Sequence, residues 1–199
     1  MPIQYSKVTV GPAVEPVDAD SIAKLDLKVD QVEEDGLIDI LIQAARELVE
    51  EKTQTSLITQ TRVMKLDYFP DYCITLPFGP VQSVTSITYY DDNEDSQTFS
   101  SSEYYVDTDS KIARVIVKDS WPSTYDRPGA VTITYVCGYG LTGASVPAPL
   151  RKAILLLVGH FYENRQNVIV SGSPTGVIEI PFGAEVLIAP YVREQNIMY

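Results

Sequence analysis

The sequence predicts an α+β protein, in which a small helical bundle carries an inserted antiparallel β-rich domain. Apolar residues recur at helical spacing near both ends of the chain, whereas the middle is rich in Thr, Val, Ile and Tyr with frequent turn signals. The chain has 199 residues, enough for one domain with a substantial insertion. We predict an extended N-terminal arm (1–17), a helical core (18–56 and 147–165), an inserted β domain (57–146), and a linker, short helix and C-terminal tail (166–199).

Composition narrows the function classes. The formal net charge is -12, which argues against wrapping nucleic acid, because phosphate binding needs an excess of Lys and Arg. No apolar run approaches the roughly 18 residues of a membrane span, and the N-terminus lacks the pattern of a secretion signal. Cys73 and Cys137 each lie at the end of a predicted strand, so a disulfide between them is geometrically possible. Without a secretory context, two reduced thiols are favoured. We expect a protein made and kept in a cytoplasm, or in a particle assembled there.

Two helices are predicted after the arm. Asp18 suits the N-cap of the first, in which Ile22, Leu25 and Val29 share one face. A capping-box pattern at residues 30–33 predicts the start of the second. On that helix we assign one apolar face to Leu37, Leu41, Ala44, Ala45 and Leu48, additional apolar surface to Ile38, Ile42 and Val49, and the polar face to Asp39, Arg46 and Glu50.

The middle of the chain predicts six short strands that form a small antiparallel sheet or a partly closed barrel. The last strand alternates cleanly, with Val131, Ile133 and Tyr135 on one face. The acidic run at 91–95 is typical of a hairpin tip. The predicted strands are residues 58–69, 72–76, 84–90, 104–106, 113–117 and 131–137.

A third long helix is predicted from Pro149, which suits the first turn of a helix. Its apolar face is Leu150, Ala153, Ile154, Leu157, Val158 and Phe161. Leu155, Leu156 and Tyr162 add apolar surface outside that face, so the helix needs neighbours on more than one side. We therefore predict an interface between copies of the chain, with Leu155, Leu156, Tyr162, Ile38, Ile42 and Val49. A short amphipathic segment follows at 181–189 and ends at Pro190.

No residue pattern indicates catalysis, a cofactor or a metal. His160 is the single histidine, and we expect it to be structural, with Tyr162 and Glu163 as hydrogen-bond partners. Asp107, Asp109 and the acids at 91–95 lack the spacing of a calcium loop and are predicted to be solvated. The 27 acidic residues make chance carboxylate pairs uninformative about glycosidase activity.

The 13 tyrosines leave two alternatives open. In a β-rich block they suit a protein interface or a sugar-binding platform, because Tyr combines an apolar ring with a polar end. They also suit strands without any binding role. The alternative function that we consider is therefore a β-type receptor- or glycan-binding module of a virion.

Several segments in order carry a resemblance to a known family. Gly138-Tyr139-Gly140 is followed by Val146-Pro147-Ala148-Pro149-Leu150-Arg151, and then by His160 with Tyr162-Glu163-Asn164-Arg165. Further matching stretches are residues 12–17, 35–38, 44–46, 57–61, 83–90, 120–122 and 181–191. Together they closely resemble the head-tail connector proteins of tailed bacteriophages, also called adaptor or head-completion proteins of the neck.

The resemblance implies a structural protein of the virion neck and not an enzyme. In that family, twelve copies form a ring beneath the portal, and the ring joins the DNA-filled head to the stopper or tail. Genomic double-stranded DNA would pass through the lumen without sequence-specific binding. The resemblance also implies assembly in the host bacterial cytoplasm and a C-terminal segment that docks on the portal protein, which we place at Tyr191, Val192 and Arg193.

Overall fold

The chain forms two compact units in a computed structural model that describes residues 4–18, 34–164 and 181–193. The β unit comprises Met1–Ala13, Gln54–Leu141 and Arg193–Tyr199. The helical unit comprises Val14–Thr53 and Thr142–Val192. The α+β fold with antiparallel sheets is as the sequence predicts.

Three α-helices build the described part of the helical unit. They are α1 (Asp35–Thr53), α2 (Ala148–Glu163) and α3 (Phe182–Ile188). The acidic Asp35 in the first turn of α1 and the basic Lys52 in its last turn both complement the helix dipole. Within this unit α2 packs against both α1 and α3. The predicted first helix and the capping box at 30–33 lie outside the described residues, apart from Asp18.

Eight antiparallel strands form two sheets in the β unit. The first sheet has five strands in the order β1-β2-β8-β4-β5, and the second has three in the order β3-β7-β6. The strands are β1 (Gln4–Val10), β2 (Gln60–Leu66), β3 (Cys73–Leu76), β4 (Val81–Tyr90), β5 (Ser96–Phe99), β6 (Tyr104–Asp107), β7 (Ala113–Val117) and β8 (Val131–Cys137).

Two strands were not among the six that the sequence predicts. β1 lies in the predicted arm and pairs antiparallel with β2, Ser6 opposite Met64 and Lys7 opposite Val63. β5 completes a hairpin with β4, and its acidic connection is the predicted tip at 91–95. The N-terminal segment is therefore the edge strand of a sheet, not a separate arm.

The core of the β unit lies between the inner faces of its two sheets. The predicted alternation of β8 is confirmed, since Val131, Ile133, Tyr135 and Cys137 are buried while the residues between them are half-buried. Residues of both sheets join them in one apolar cluster. Phe69 stacks on Trp121 with ring centroids 4.7 Å apart and an interplanar angle of 5°.

A close approach of two backbone segments fixes the end of β8. Gly138 has a φ of +129°, and a Cβ atom there would lie 2.5 Å from the carbonyl oxygen of Ile58. Its amide donates to Pro80 O at 2.8 Å. Only glycine fits this conformation and this spacing.

No helix in ranges 4–18, 34–164 and 181–193 is both long and apolar enough to cross a bilayer. Within the same ranges, no three His, Cys, Asp or Glu side chains converge as metal ligands would. Cys73 and Cys137 are both free thiols, on β3 and β8.

Candidate assembly surfaces

The buried stripe of α1 differs from the predicted one by about one residue. Ile38, Ile42 and Val49 are at most 1% exposed, and together with Ala45 they form the inward face. Leu37, Leu41 and Leu48 are half-buried, and Ala44 is exposed. Ile38, Ile42 and Val49 were predicted at an interface between copies of the chain. Because these side chains are interior residues of the single chain, they are not accessible to another copy.

The polar face predicted for α1 is also partly internal. Arg46 and Glu50 are buried, and their side chains are joined by a hydrogen bond of 3.1 Å. Arg46 Nε donates to Glu15 Oε2 at 2.8 Å, which ties the segment before the helices to α1. Burial alone lowers the pKa of Arg46, but the hydrogen bond and charge of Glu15, with Glu50 and Glu47, outweigh burial and raise that pKa.

The apolar residues of α2 that lie outside its main apolar face are only half-buried in the single chain. Five of the six residues predicted on its apolar face are buried, namely Leu150, Ala153, Ile154, Leu157 and Val158, whereas Phe161, in the last turn, is half-buried. Leu155, Leu156 and Tyr162 are half-buried. Leu156 contributes to the contact with α3, since its Cδ1 lies 3.4 Å from where a Cβ of Gly183 would be. The Tyr162 hydroxyl donates to Glu34 within the helical unit.

Exposed apolar side chains on α3 were not identified from the sequence. Phe182 is 79% exposed and Val186 is 54% exposed. They are four residues apart, so both lie on one face of the short helix. The sequence does show an amphipathic period at 181–189. The period alone does not show which face of the helix packs against a neighbouring element and which is left exposed.

The three residues predicted to dock on the portal follow α3. Tyr191 ends a turn of 3₁₀-helix, Ala189–Tyr191, and the Val192 amide donates to Ala189 O at 3.3 Å. Arg193 belongs to the β unit, where Nη1 donates to the carbonyl oxygen of Lys111. A Cβ at Gly79 would lie 2.5 Å from the same Nη1 atom. All three side chains are half-buried. The guanidinium of Arg193 already has a hydrogen-bond partner within the chain, the carbonyl oxygen of Lys111.

The acidic hairpin tip is ordered by hydrogen bonds and is not simply solvated. Asp91 Oδ1 accepts from the amides of Asn93 and Asp95 at 2.9 and 3.1 Å. Gln97 donates to Asp91 Oδ2, which is the main reason that the Asp91 pKa is lowered. Arg127 lies over the Tyr90 ring at 4.2 Å and contacts Glu94 at 3.1 Å. The tip is thereby fastened to the loop before β8.

The other predicted polar residues have local structural partners. His160 Nδ1 contacts Asn164 Nδ2 at 3.3 Å, so Asn164 takes the place predicted for Tyr162 or Glu163. Asp107 binds Arg114 at 2.7 Å, and this hydrogen bond, with those of Ser110, lowers the Asp107 pKa to about 2. The most exposed tyrosines, Tyr5, Tyr72 and Tyr105, belong to β1, the loop before β3, and β6.

Comparisons with known proteins show which solved structures share this fold. The sequence matches no protein-family model and no curated protein. A chain from the neck of an empty gene transfer agent particle, computed with C6 symmetry, has a TM-score of 0.76 at 20% identity, covering 96% of this chain and 98% of that one. A chain from the virion of the native particle has a TM-score of 0.75 at 20% identity, covering 96% and 97%.

A third similar chain comes from the neck of the native gene transfer agent particle, computed with C12 symmetry. Its TM-score is 0.66 at 21% identity, covering 92% of this chain and 97% of that one. The likeness therefore spans both units and nearly the whole of each neighbour. This chain has the fold of a neck protein of a phage-like particle, which is the fold that its resemblance to head-tail connector proteins predicts.

Proposed function

We propose that this chain is a non-enzymatic structural protein of a virion neck, assembled in the bacterial cytoplasm. Twelve copies form an adaptor ring that joins the portal of the head to the stopper or tail. The observation that carries the proposal is the likeness over 96% of the chain to a chain of a gene transfer agent neck. The C6 and C12 symmetries with which those necks were computed suit a cyclic ring.

The helical unit supplies the main contact between copies in this proposal. Leu155, Leu156 and Tyr162 are apolar or amphipathic and half-buried in the single chain, so a neighbouring copy can bury them further. On α1 the half-buried Leu41 and Leu48 are better placed for such a contact than the interior Ile38, Ile42 and Val49.

The acidic composition suits a channel through which DNA passes. The net charge of -12 per copy is multiplied in a ring, and negative walls repel phosphates. Genomic double-stranded DNA then slides through the lumen without sequence-specific binding.

The segment with Tyr191, Val192 and Arg193 is our proposed contact with the portal protein. It ends the described chain after a rigid 3₁₀ turn, which can present the Tyr191 ring to a partner. Because Arg193 also binds Lys111 O, its loss would disturb the β unit as well as a portal contact.

The stoichiometry of a complex with portal rings of the same particle tests the ring. We expect electron microscopy of the mixture to show a twelvefold ring of this chain seated on one end of the portal. A chain that stays monomeric with portal rings, while particles lacking it are still completed normally, would contradict the proposal.

Truncation after Ala189 tests the docking segment separately. We expect the truncated chain to keep its helical unit folded and to lose portal attachment, while its β unit loses the contact of Arg193 with Lys111 O. The matched variant Arg193→Ala removes only the side chain bound to Lys111 O and keeps Tyr191. Normal portal binding by the truncated chain would refute the docking assignment, whereas loss in both variants with an unfolded β unit would trace the effect to Arg193 alone.

A further inference from the structure

The five-stranded sheet has an open edge at each end. Among the described residues, β1 pairs only with β2, and β5 pairs only with β4. Each edge therefore presents backbone N–H and C=O groups that have no strand opposite them. Such groups recognise one chemical class of partner, an extended polypeptide backbone at strand spacing.

The β1 edge combines exposed apolar side chains with two features that limit edge pairing, a lysine and an irregularity in the register. Tyr5, Val8 and Val10 are 62%, 40% and 61% exposed, and Lys7 is the one charged residue in the strand. The pairing of β1 with β2 becomes irregular between Val8 and Val10, so the regular part of the edge ends at Val8. β5 has four residues, Ser96–Phe99, which is close to the length of that regular part.

The two edges carry opposite charge. Lys7 is exposed on β1, and its side chain has no hydrogen-bond or ion-pair partner in the described part of the chain. Asp95 immediately precedes β5, and its side chain likewise has no partner among the residues described. Its neighbours Asp91 and Glu94 are already engaged with Gln97 and Arg127.

We propose that β1 of one copy pairs with β5 of the next copy, so that the five-stranded sheets of neighbouring copies join edge to edge. This inference rests on the proposed ring, and it names a second contact between copies, in the β unit. Pairing β1 with β1 would bring Lys7 against Lys7, and pairing β5 with β5 would bring the acidic tips together. Only the mixed pairing brings a cation near a carboxylate: with Lys7 opposite Gln97, Asp95 lies two residues back on the same face, within reach of the long lysine side chain.

The direction of the pairing follows from the topology. Neighbouring strands in the order β1-β2-β8-β4-β5 are all antiparallel, so β1 and β5 run in the same direction. A rotation of one-twelfth of a turn between copies is too small to reverse a strand. The joined edges therefore pair in parallel, and like contacts repeat head to tail around a closed ring.

A charge swap tests the pairing in the full-length chain. Lys7→Glu and Asp95→Lys should each raise the concentration for half-assembly of the ring on portal by about tenfold. The double variant restores opposite charges at every junction and should return to within about twofold of the unmodified chain. Asp71→Lys, at an exposed site in the loop between β2 and β3, is the matched control and should leave assembly unchanged.

The pattern of results separates other occupants of the edge. If Lys7→Glu weakens assembly but Asp95→Lys does not compensate, the strand beside β1 comes from a different protein and our pairing is overturned. If neither variant differs from Asp71→Lys, the edge is not used and the pairing is also overturned. Circular dichroism and thermal melting confirm that each variant is folded.

Cysteine cross-linking gives a readout that does not depend on ring stability. In a Cys73→Ser background, Lys7→Cys with Gln97→Cys or Thr98→Cys should yield covalent multimers in oxidised particles, whereas either single cysteine should yield none. A complete twelvefold ring without covalent multimers or charge compensation would overturn the pairing and leave the proposed function intact. A chain that forms no ring at all would overturn both.

Discussion

Arg46 fastens the segment that precedes the helices to the middle of α1. Its guanidinium contacts Glu15 at 2.8 Å, Glu50 at 3.1 Å and Glu47 at 3.5 Å, and only 7% of its side chain is exposed. Coulomb interactions are stronger in such a poorly solvated site, but each charge must keep its partners there. The network therefore acts as a local constraint on how the chain enters the helical unit.

Arg46→Ala should lower the free energy of unfolding by about 3 kcal/mol or more, because Glu15 and Glu50 lose the buried cation that neutralises them. Urea denaturation followed by circular dichroism measures the change. Glu47→Gln is the matched control, since the Glu47 side chain is 59% exposed and should matter by less than about 1 kcal/mol. Equal stability of the two variants would show that the network does not contribute as described.

Asp107 gives the β unit a defined response to acid. Its pKa is lowered to about 2 from the ordinary value of 3.8 by Arg114 and Ser110. A carboxylate with a lowered pKa contributes stability above pH 3.8, and that contribution is lost as the pH falls through about 2. Asp107→Asn should therefore melt at a lower temperature than the unmodified chain at neutral pH, with the difference closing between about pH 4 and pH 2. Melting temperatures measured across this pH range test the expectation, with Asp109→Asn as the control variant. A melting-temperature difference between Asp107→Asn and the unmodified chain that persists undiminished at pH 2 would contradict the lowered pKa of Asp107.

At the scale of elements, the junction between the end of β8 and the start of β2 depends on the absence of one side chain. A Cβ at position 138 would meet the Ile58 backbone at 2.5 Å, and the Gly138 carbonyl accepts from Gln82 at 2.8 Å. Neither backbone segment can move without disturbing strand pairs on both sides.

Gly138→Ala should lower the free energy of unfolding by about 3 kcal/mol or more, because the side chain adds a clash to a φ of +129°. Denaturant titration measures it. Gly36→Ala in α1 is the control, since nothing lies within 4 Å of a Cβ there and alanine favours the helix. If both variants unfold at the same denaturant concentration, the close approach does not determine stability.

The sequence predicted elements with a clear period better than those that depend on distant pairing. The buried face of α2 follows from a period of 3.6 residues, which is local information. The residues of β1 indicate only an extended arm when taken alone, because their strand partner, β2, begins far along the chain at Gln60. On α1, apolar residues cover a wide arc of the helix, so the period did not reveal whether Leu41 or Ile42 faces inward. The contact between Arg46 and Glu15 could not be predicted from the sequence either, because Glu15 lies in another segment.

At the scale of the whole molecule, assembly should depend on apolar surface that the single chain leaves half-covered. Leu155→Glu should abolish ring formation while circular dichroism shows unchanged helix content, because a charge is tolerated in water and not in a buried interface. Analytical ultracentrifugation with and without portal rings measures the loss. Ala148→Glu, at an exposed position in the first turn of α2, is the matched control. Rings formed by Leu155→Glu at the normal concentration would exclude this face from the interface.

The interleaved connectivity of the two units has a consequence for synthesis on the ribosome. β1 emerges first, but β2 begins only at Gln60; α1 is complete at Thr53, but α2 begins only at Ala148. The contact between α1 and α2 therefore forms only after residues 54–141 of the β unit have been translated. A nascent chain cannot display a finished α1–α2 surface before residues up to Glu163 have emerged, so contacts between copies through this surface form late in synthesis or after it.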